Sequence, residues 1–385
     1  MKRLVLLLLL AGLSVTVSGC SWFSKAKPGE PAELVDFDAS LKVKKIWSTN
    51  IGKGNSLEGL NLKPAYDNGR VYAADYRGKV VAVDADNGKK LWEIETDLPV
   101  SAGPAIANDY MFLGTLEAEI YAYSNEDGSL RWSANVSSEV LAMPVLHDGI
   151  VIVRCLDGRV FGLNAETGSR TWVYDTSVPL LTLRGNSTPA VRAGVAYVGY
   201  DGGELVAIRV ADGAVGWTTQ IAAAEGRTEL DRLVDIDGNI AMVATDIYVA
   251  SYKNRMGALA SESGRLLWFK DIGTSSGIAV DRTHLAVSDA SGYLWMLDRR
   301  NGAEDWKLEM LENRHLTLPA FYDKYVVVGD MEGYLHWFRV EGGALVARNK
   351  VSKKGFASSP LVIGTTMYVL ANNGDLVAYR AGPAI

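Results

Sequence analysis

A unit that opens on proline and closes on tryptophan recurs along this chain and leaves few folds open to it. Pro64–Trp92 reads PAYDNGRVYAADYRGKVVAVDADNGKKLW, and units of equal length follow at Pro104–Trp132, Pro144–Trp172 and Pro189–Trp217. Two worn copies end at Trp268 and Trp306, a seventh begins at Pro319 with Ala347 in the tryptophan position, and an eighth begins at Pro360 and stops before its last strand. Within a unit the apolar residues alternate over short runs broken by Asp-Gly, Asn-Gly or similar pairs. Such alternation is that of half-buried antiparallel strands, and the glycines supply the positive φ of tight hairpins. Four short strands in about 40 residues make one propeller blade. The predicted fold is all-β, an eight-bladed β-propeller of four-stranded antiparallel blades.

The eighth unit lacks its outer strand, but KKIWSTNI, ahead of the first unit, copies the outer strand KKLWEIET. The N-terminal strand is therefore predicted to close the last blade, which removes the edges that an open array would expose. Trp47, Trp92, Trp132, Trp172, Trp217, Trp268 and Trp306 all fall on outer strands. A ring of that size fills the gap between twisted blades, so these residues are predicted to be structural. Two tryptophans stand outside the pattern, Trp295 and Trp337, and both read as third-strand residues packing between blades. A glycan-binding groove would need aromatics that this pattern does not spare.

Lys2 and Arg3 precede the apolar run LVLLLLLAGLSVTV and then Ser18-Gly19-Cys20. The run is shorter than the ~20 residues of a spanning helix and has the layout of a secretory signal. Residues 1–19 are predicted to be a lipoprotein signal peptide, with Cys20 becoming the acylated N-terminus. Acyl chains there would hold the protein on a membrane. Serine after the cysteine favours the outer membrane, facing the periplasm. Residues 20–40, SWFSKAKPGEPAELVDFDAS after the cysteine, show no alternation and are read as a flexible tether, leaving 41–385 for the ring. The remaining Cys155 has no partner for a disulfide and reads as a buried filler. The charge of −6 carries no basic run, which argues against nucleic acid.

The repeat resembles that of quinone-dependent dehydrogenases over residues 41–385, a likeness that lies in scaffold positions. Those enzymes bind calcium and a quinone at the ring centre, and many carry a vicinal cysteine pair or a haem motif. This chain has neither Cys-Cys nor C-x-x-C-H. Its four histidines, His147, His284, His315 and His336, lie in different units without metal-ligand spacing. Acids such as Asp84 and Asp86 sit in turns and read as turn caps. With no nucleophile elbow either, no catalytic residue, metal or cofactor is predicted.

Function is expected where the repeat is interrupted. The unit starting at Pro189 comes 45 residues after its predecessor, and Trp268 follows Trp217 by 51. Both expansions join an outer strand to the next inner strand, so they enlarge one face of the ring at neighbouring blades. The first contains SVPLLTLRGNS, in which Leu181 and Leu183 share one side of an extended backbone beside Arg184. Exposed aliphatics next to an arginine make a candidate protein-binding patch. The competing reading packs both leucines inward. The second, AAAEGRTELDRLVDIDG, carries five acids against Arg227 and Arg232, and its first dozen residues have the composition of a short helix.

LTLRG, ELDRLVDID and VVGDMEGYLHW, on a lipidated eight-bladed ring, resemble the BamB family of the outer-membrane β-barrel assembly machinery. That resemblance implies a non-enzymatic partner of BamA that binds its POTRA domains and assists folding and insertion of outer-membrane β-barrel proteins. It implies BamA binding through Leu181, Leu183 and Arg184, with Asp235 and Asp237 either touching the partner or bracing Arg184. Outer-strand edges are a second candidate surface, for unfolded outer-membrane protein clients, by β-augmentation.

Overall fold

The computed structural model describes residues 29–54, 60–179, 181–183, 187–228, 230–253, 255–356 and 358–383. The predicted signal peptide, Cys20 and Arg184 lie outside the described residues. Eight sheets follow one another around a ring. Blades 1 to 7 begin at Ala65, Val100, Val145, Ala190, Ala241, Ile278 and Ala320, each running inner to outer strand in chain order. Blade 8 takes three strands from Leu361–Pro383 and its outer strand from Leu41–Asn50, which pairs antiparallel with Asp375–Pro383. The ring is thus closed by the strand the sequence nominates. One sheet departs from the four-strand rule. Asn61–Leu62 adds a short parallel strand inside blade 2, against Ala102 and Gly103. Two residues carry no period to read in advance.

Every outer strand slips register by one residue just before its tryptophan position, as between Leu130 and Trp132 opposite Tyr123 and Ala122. The same irregularity recurs in all eight blades. A bulge adds local twist and re-aims a side chain, and here it turns the indole toward the next blade. Each of the seven indoles donates its Nε1–H to a carbonyl in the following blade's last hairpin, at 2.7–3.3 Å. The hairpin glycine lies beneath the ring. At Gly168, where φ is +71°, a Cβ would sit 2.6 Å from Trp132 Cε3, so glycine is required both by conformation and by space. The Gly-x-x-x-Trp pattern of the sequence is therefore one inter-blade joint repeated. The acids divide: Asp84 Oδ1 caps its turn by accepting the Asp86 and Asn87 N–H groups, whereas Asp86 lies beside Arg380 and makes no such cap.

Where Ala347 replaces the tryptophan, the joint is rebuilt from the third strand. Trp337 is fully buried between blades 7 and 8, edge-on to Tyr322 at 5.3 Å, and Tyr322 Oη donates to Thr365 O at 2.6 Å. Trp295 is half-buried and donates to Asp289 Oδ2 at 2.8 Å. Cys155 is a buried core residue between blades 2 and 3.

The stretch read as a free tether is docked over much of its length. Ala32 N–H bonds Glu312 O, Ser40 N–H bonds Val346 O, and Leu34 packs on the core between blades 6 and 7. The helix expected at the start of the second expansion is absent, and no helix occurs among the described residues. Thr228 N–H bonds Asp231 Oδ2 and Asp231 N–H bonds Thr228 Oγ1, a reciprocal pairing that closes a single turn before the chain is threaded inward at Leu233, Val234 and Ile236.

Candidate functional site: the enlarged loop face

The two expansions lie side by side on the face that carries the turns between second and third strands. The first, residues 175–189, leaves the outer strand of blade 3; the second, 221–240, leaves that of blade 4. Leu181 is exposed and Leu183 half-buried, so the leucines are not both packed inward. Leu230, at the tip of the second loop, is 63% exposed, the most of any large apolar side chain among the described residues. Two aliphatic side chains from adjacent loops therefore face solvent on the same face.

Asp235 and Asp237 are not on that surface in the same way. Asp235 is 1% exposed, and its Oδ2 accepts the backbone N–H of Leu183. The segment around it is threaded inward, with Leu233, Val234 and Ile236 buried. Ile236 N–H bonds Tyr200 O, Tyr252 N–H bonds Asp235 O, and a Cβ on Gly199 would strike Ile236. The acid-rich segment is thus a strut beneath the LTLRG loop. It holds that loop by its main chain.

Below the strut lies a residue that the repeat hides. Arg154 ends the second strand of blade 3 at a position where the other blades hold Ala74, Gly114, Gly199, Ala250, Ser288, Gly329 and Leu370. A fully buried arginine among mostly small residues is a signal available from alignment of the units. Arg154 Nη2 donates to Asp201 Oδ1 at 3.1 Å, and its guanidinium lies 5.0 Å from the centre of the Tyr200 ring. Three carboxylates, Asp201, Asp235 and Asp237, share this one cation among the described residues. Burial raises all three. It pushes Asp235 up to about 6, offset by the Leu183 N–H, and Asp237 up to about 8, opposed by Arg154 and reinforced by Asp201 and Asp235. Arg154 Nε and Nη1, Tyr200 Oη, Asp201 Oδ2 and Asp235 Oδ1 have no protein partner among the described residues. Groups so placed are commonly completed by ordered water. No group of three His, Cys, Asp or Glu side chains among the described residues has the geometry to hold a metal ion.

The raised acids make stability pH-dependent with a definite sign. A carboxyl whose folded pKa exceeds its unfolded value stabilises the fold at low pH, and the advantage is lost as pH rises through the folded value. For Asp237 that window runs from its ordinary 3.8 to about 8. Asp237→Asn is expected to melt higher than the wild type at pH 8.5 by several degrees and nearly equally at pH 4, as thermal melts at the two pH values would show.

A family model of outer membrane protein assembly factor BamB matches residues 40–100 and 78–308. The chain belongs to the BamB family. The BamB of Pseudomonas aeruginosa is 48% identical over 370 residues, covering 96% of this chain and 97% of its own. That of Xanthomonas campestris is 39% identical over 99% and 98%, and that of Escherichia coli 35% identical over 96% and 97%. The crystal structure of Moraxella catarrhalis BamB superposes with a TM-score of 0.81 over 88% of this chain and all of that one, at 24% identity, a likeness of fold. A europium-containing methanol dehydrogenase shares the propeller with a TM-score of 0.71 at 13% identity, likewise a statement about fold alone. The BamB relatives are outer membrane protein assembly factors, a non-catalytic role, and the dehydrogenase-like repeat of this chain serves as scaffold.

Proposed function

We propose that the protein is a lipid-anchored scaffold of outer-membrane protein assembly, facing the periplasm, whose enlarged loop face docks onto the POTRA domains of BamA. The observation that carries this reading is a pair of exposed leucines, Leu181 and Leu230, on adjacent loops of which one is fixed from below by Asp235. Interface anchors are apolar or arginine side chains held in place before binding, since ordering a loop on contact costs affinity. Leu181 and Leu183 supply the apolar part and Arg184 a directional charge contact. A stable complex of this kind buries ~1,200–2,000 Å². In this role the protein holds BamA in a geometry that favours folding and insertion of outer-membrane β-barrels.

The test is the affinity of the protein for purified POTRA domains, measured by calorimetry for wild type and Arg184→Glu after matching their thermal melts. Binding by the wild type, weakened about tenfold or more in the variant, is the expected result, a cost of ~1.4 kcal/mol for one anchor. Equal binding would move the interface elsewhere on the ring. No binding by either would remove BamA as the partner.

A further inference from the structure

The segment VVGDMEGYLHW lies in blade 7, away from the enlarged loops, and the docking reading gives it no work. Its acids and histidine form a network with two arginines, in which Asp330, His336 and Arg314 are buried. Arg314 is 2% exposed and donates through Nε to Asp330 Oδ2 at 2.8 Å and through Nη2 to Glu332 Oε2 at 2.6 Å. His336, wholly buried, pairs through Nε2 with the same Asp330 oxygen at 2.9 Å. Its Nδ1 accepts from Arg348 Nε at 3.3 Å, which assigns the ring proton to Nε2. Each arginine makes one further hydrogen bond, in both cases to the N-terminal strap. Arg314 Nη1 donates to Ala32 O at 2.8 Å, and Arg348 Nη1 donates to Val35 O at 3.0 Å, with its guanidinium 5.2 Å from the Phe37 ring centre. Asn313 Nδ2 adds a bond to Glu30 O, while Ala32 and Ser40 give their N–H groups to Glu312 and Val346.

These contacts have a direction. Glu312, Asn313 and Arg314 belong to the connection between blades 6 and 7, on the same face as the LTLRG loop. From there the strap runs along the outer edge of blade 7 past Arg348 and Val346 before entering blade 8 at Leu41. A chain needing only a tether would not spend a buried arginine, Arg314, with the desolvation it costs, and a half-buried one, Arg348, on two carbonyls of it.

We propose that Arg314, Arg348, Asp330 and His336 form a latch that fixes the N-terminal strap so that the acylated end leaves the ring on its enlarged loop face. This rests on acylation at Cys20. From Cys20 to the first latched residues is about ten residues, or at most ~33 Å at ~3.3 Å each, half the reach of an undocked 20–40 segment. The latch thereby keeps the loop face turned toward the membrane and near it.

The experiment uses the mature acylated chain on vesicles of phosphatidylethanolamine and phosphatidylglycerol. Strap-side variants Leu34→Asp and Phe37→Ala loosen the latch without stranding a buried charge, unlike Arg314→Ala. Hydrogen exchange at Ala32 and Ser40 is expected to be slow in the wild type and to lose its protection in the variants, with blade 7 unchanged. Fast exchange at both amides in the wild type would overturn the latch. Spin labels at Leu230→Cys and Glu262→Cys then report the two faces of the ring, read by relaxation from a paramagnetic chelate lipid. Several-fold stronger relaxation at position 230 than at 262, lost in the strap variants, is expected; equal relaxation in the wild type would overturn the orientation. The mass of the N-terminal peptide separates the two readings. An unacylated Cys20 would end the membrane orientation, while the exchange data still decide the latch.

Discussion

Replacing Arg154 by methionine is expected to cost the ring about 3–5 kcal/mol, the usual consequence of removing one partner from a buried ion pair. The arginine and Asp201 are both shielded from solvent, with side-chain exposures of 0% and 1%. Methionine would fill much of the volume, so the loss is electrostatic rather than a cavity. Without the guanidinium, Asp201, Asp235 and Asp237 have no cation among the described residues to oppose the burial that already raises them. They would take up protons at neutral pH, and the deficit should shrink as the buffer is made acid, because protonated carboxyls no longer need a counter-charge. Chemical denaturation at pH 5 and pH 8 checks this, with a lower midpoint, an unchanged slope and the larger loss at pH 8. The pair Arg154→Met with Asp201→Leu should recover part of the stability, since replacing both partners removes a desolvation cost along with the attraction. A single variant as stable as wild type at pH 8 would mean that water inside the cluster screens the carboxylates well enough to make the arginine dispensable.

This cluster also shows where reading the sequence succeeds and where it stops. The joints between blades were legible because one pattern recurs: a hairpin glycine and an outer tryptophan can only be repeated at fixed spacing if each blade meets the next in the same way. The closing strand was legible because Lys44-Lys45-Ile46-Trp47 copies Lys89-Lys90-Leu91-Trp92. Arg154 was not, because it stands inside an ordinary strand, IVIVR, and is unusual only against the same position of other blades. The docked strap was illegible for a different reason. It is held mainly through its backbone carbonyls, by arginines 282 and 313 positions away in the chain, and a held carbonyl leaves no mark on the residue that carries it. Asp235 falls between these cases: the sequence nominated it and left its role open, and the structure buries it with its carboxylate on the Leu183 N–H.

A residue 1% exposed has little surface to give a partner, but it can determine what a loop presents. Asp235→Ala removes the acceptor of the Leu183 N–H and with it the described side-chain link between the strut and the LTLRG loop. The expected result is a loss of POTRA affinity of about 30–100-fold, roughly 2–2.7 kcal/mol, larger than for Arg184→Glu because Leu181, Leu183 and Arg184 would all have to be ordered on contact. Stability should move little, since the variant also sheds a carboxyl whose burial is unfavourable enough to raise it to about 6. Asp235→Asn retains an acceptor oxygen in the same place and should keep most of the affinity, which a residue acting by its charge on the partner would not. The cycle of Asp235→Ala with Leu183→Ala sharpens the distinction: if the aspartate works through the loop, the two losses fall well short of additive. Asparagine binding as poorly as alanine, with additive losses, would instead place the Asp235 charge in direct contact with BamA and require the strut to open when the complex forms.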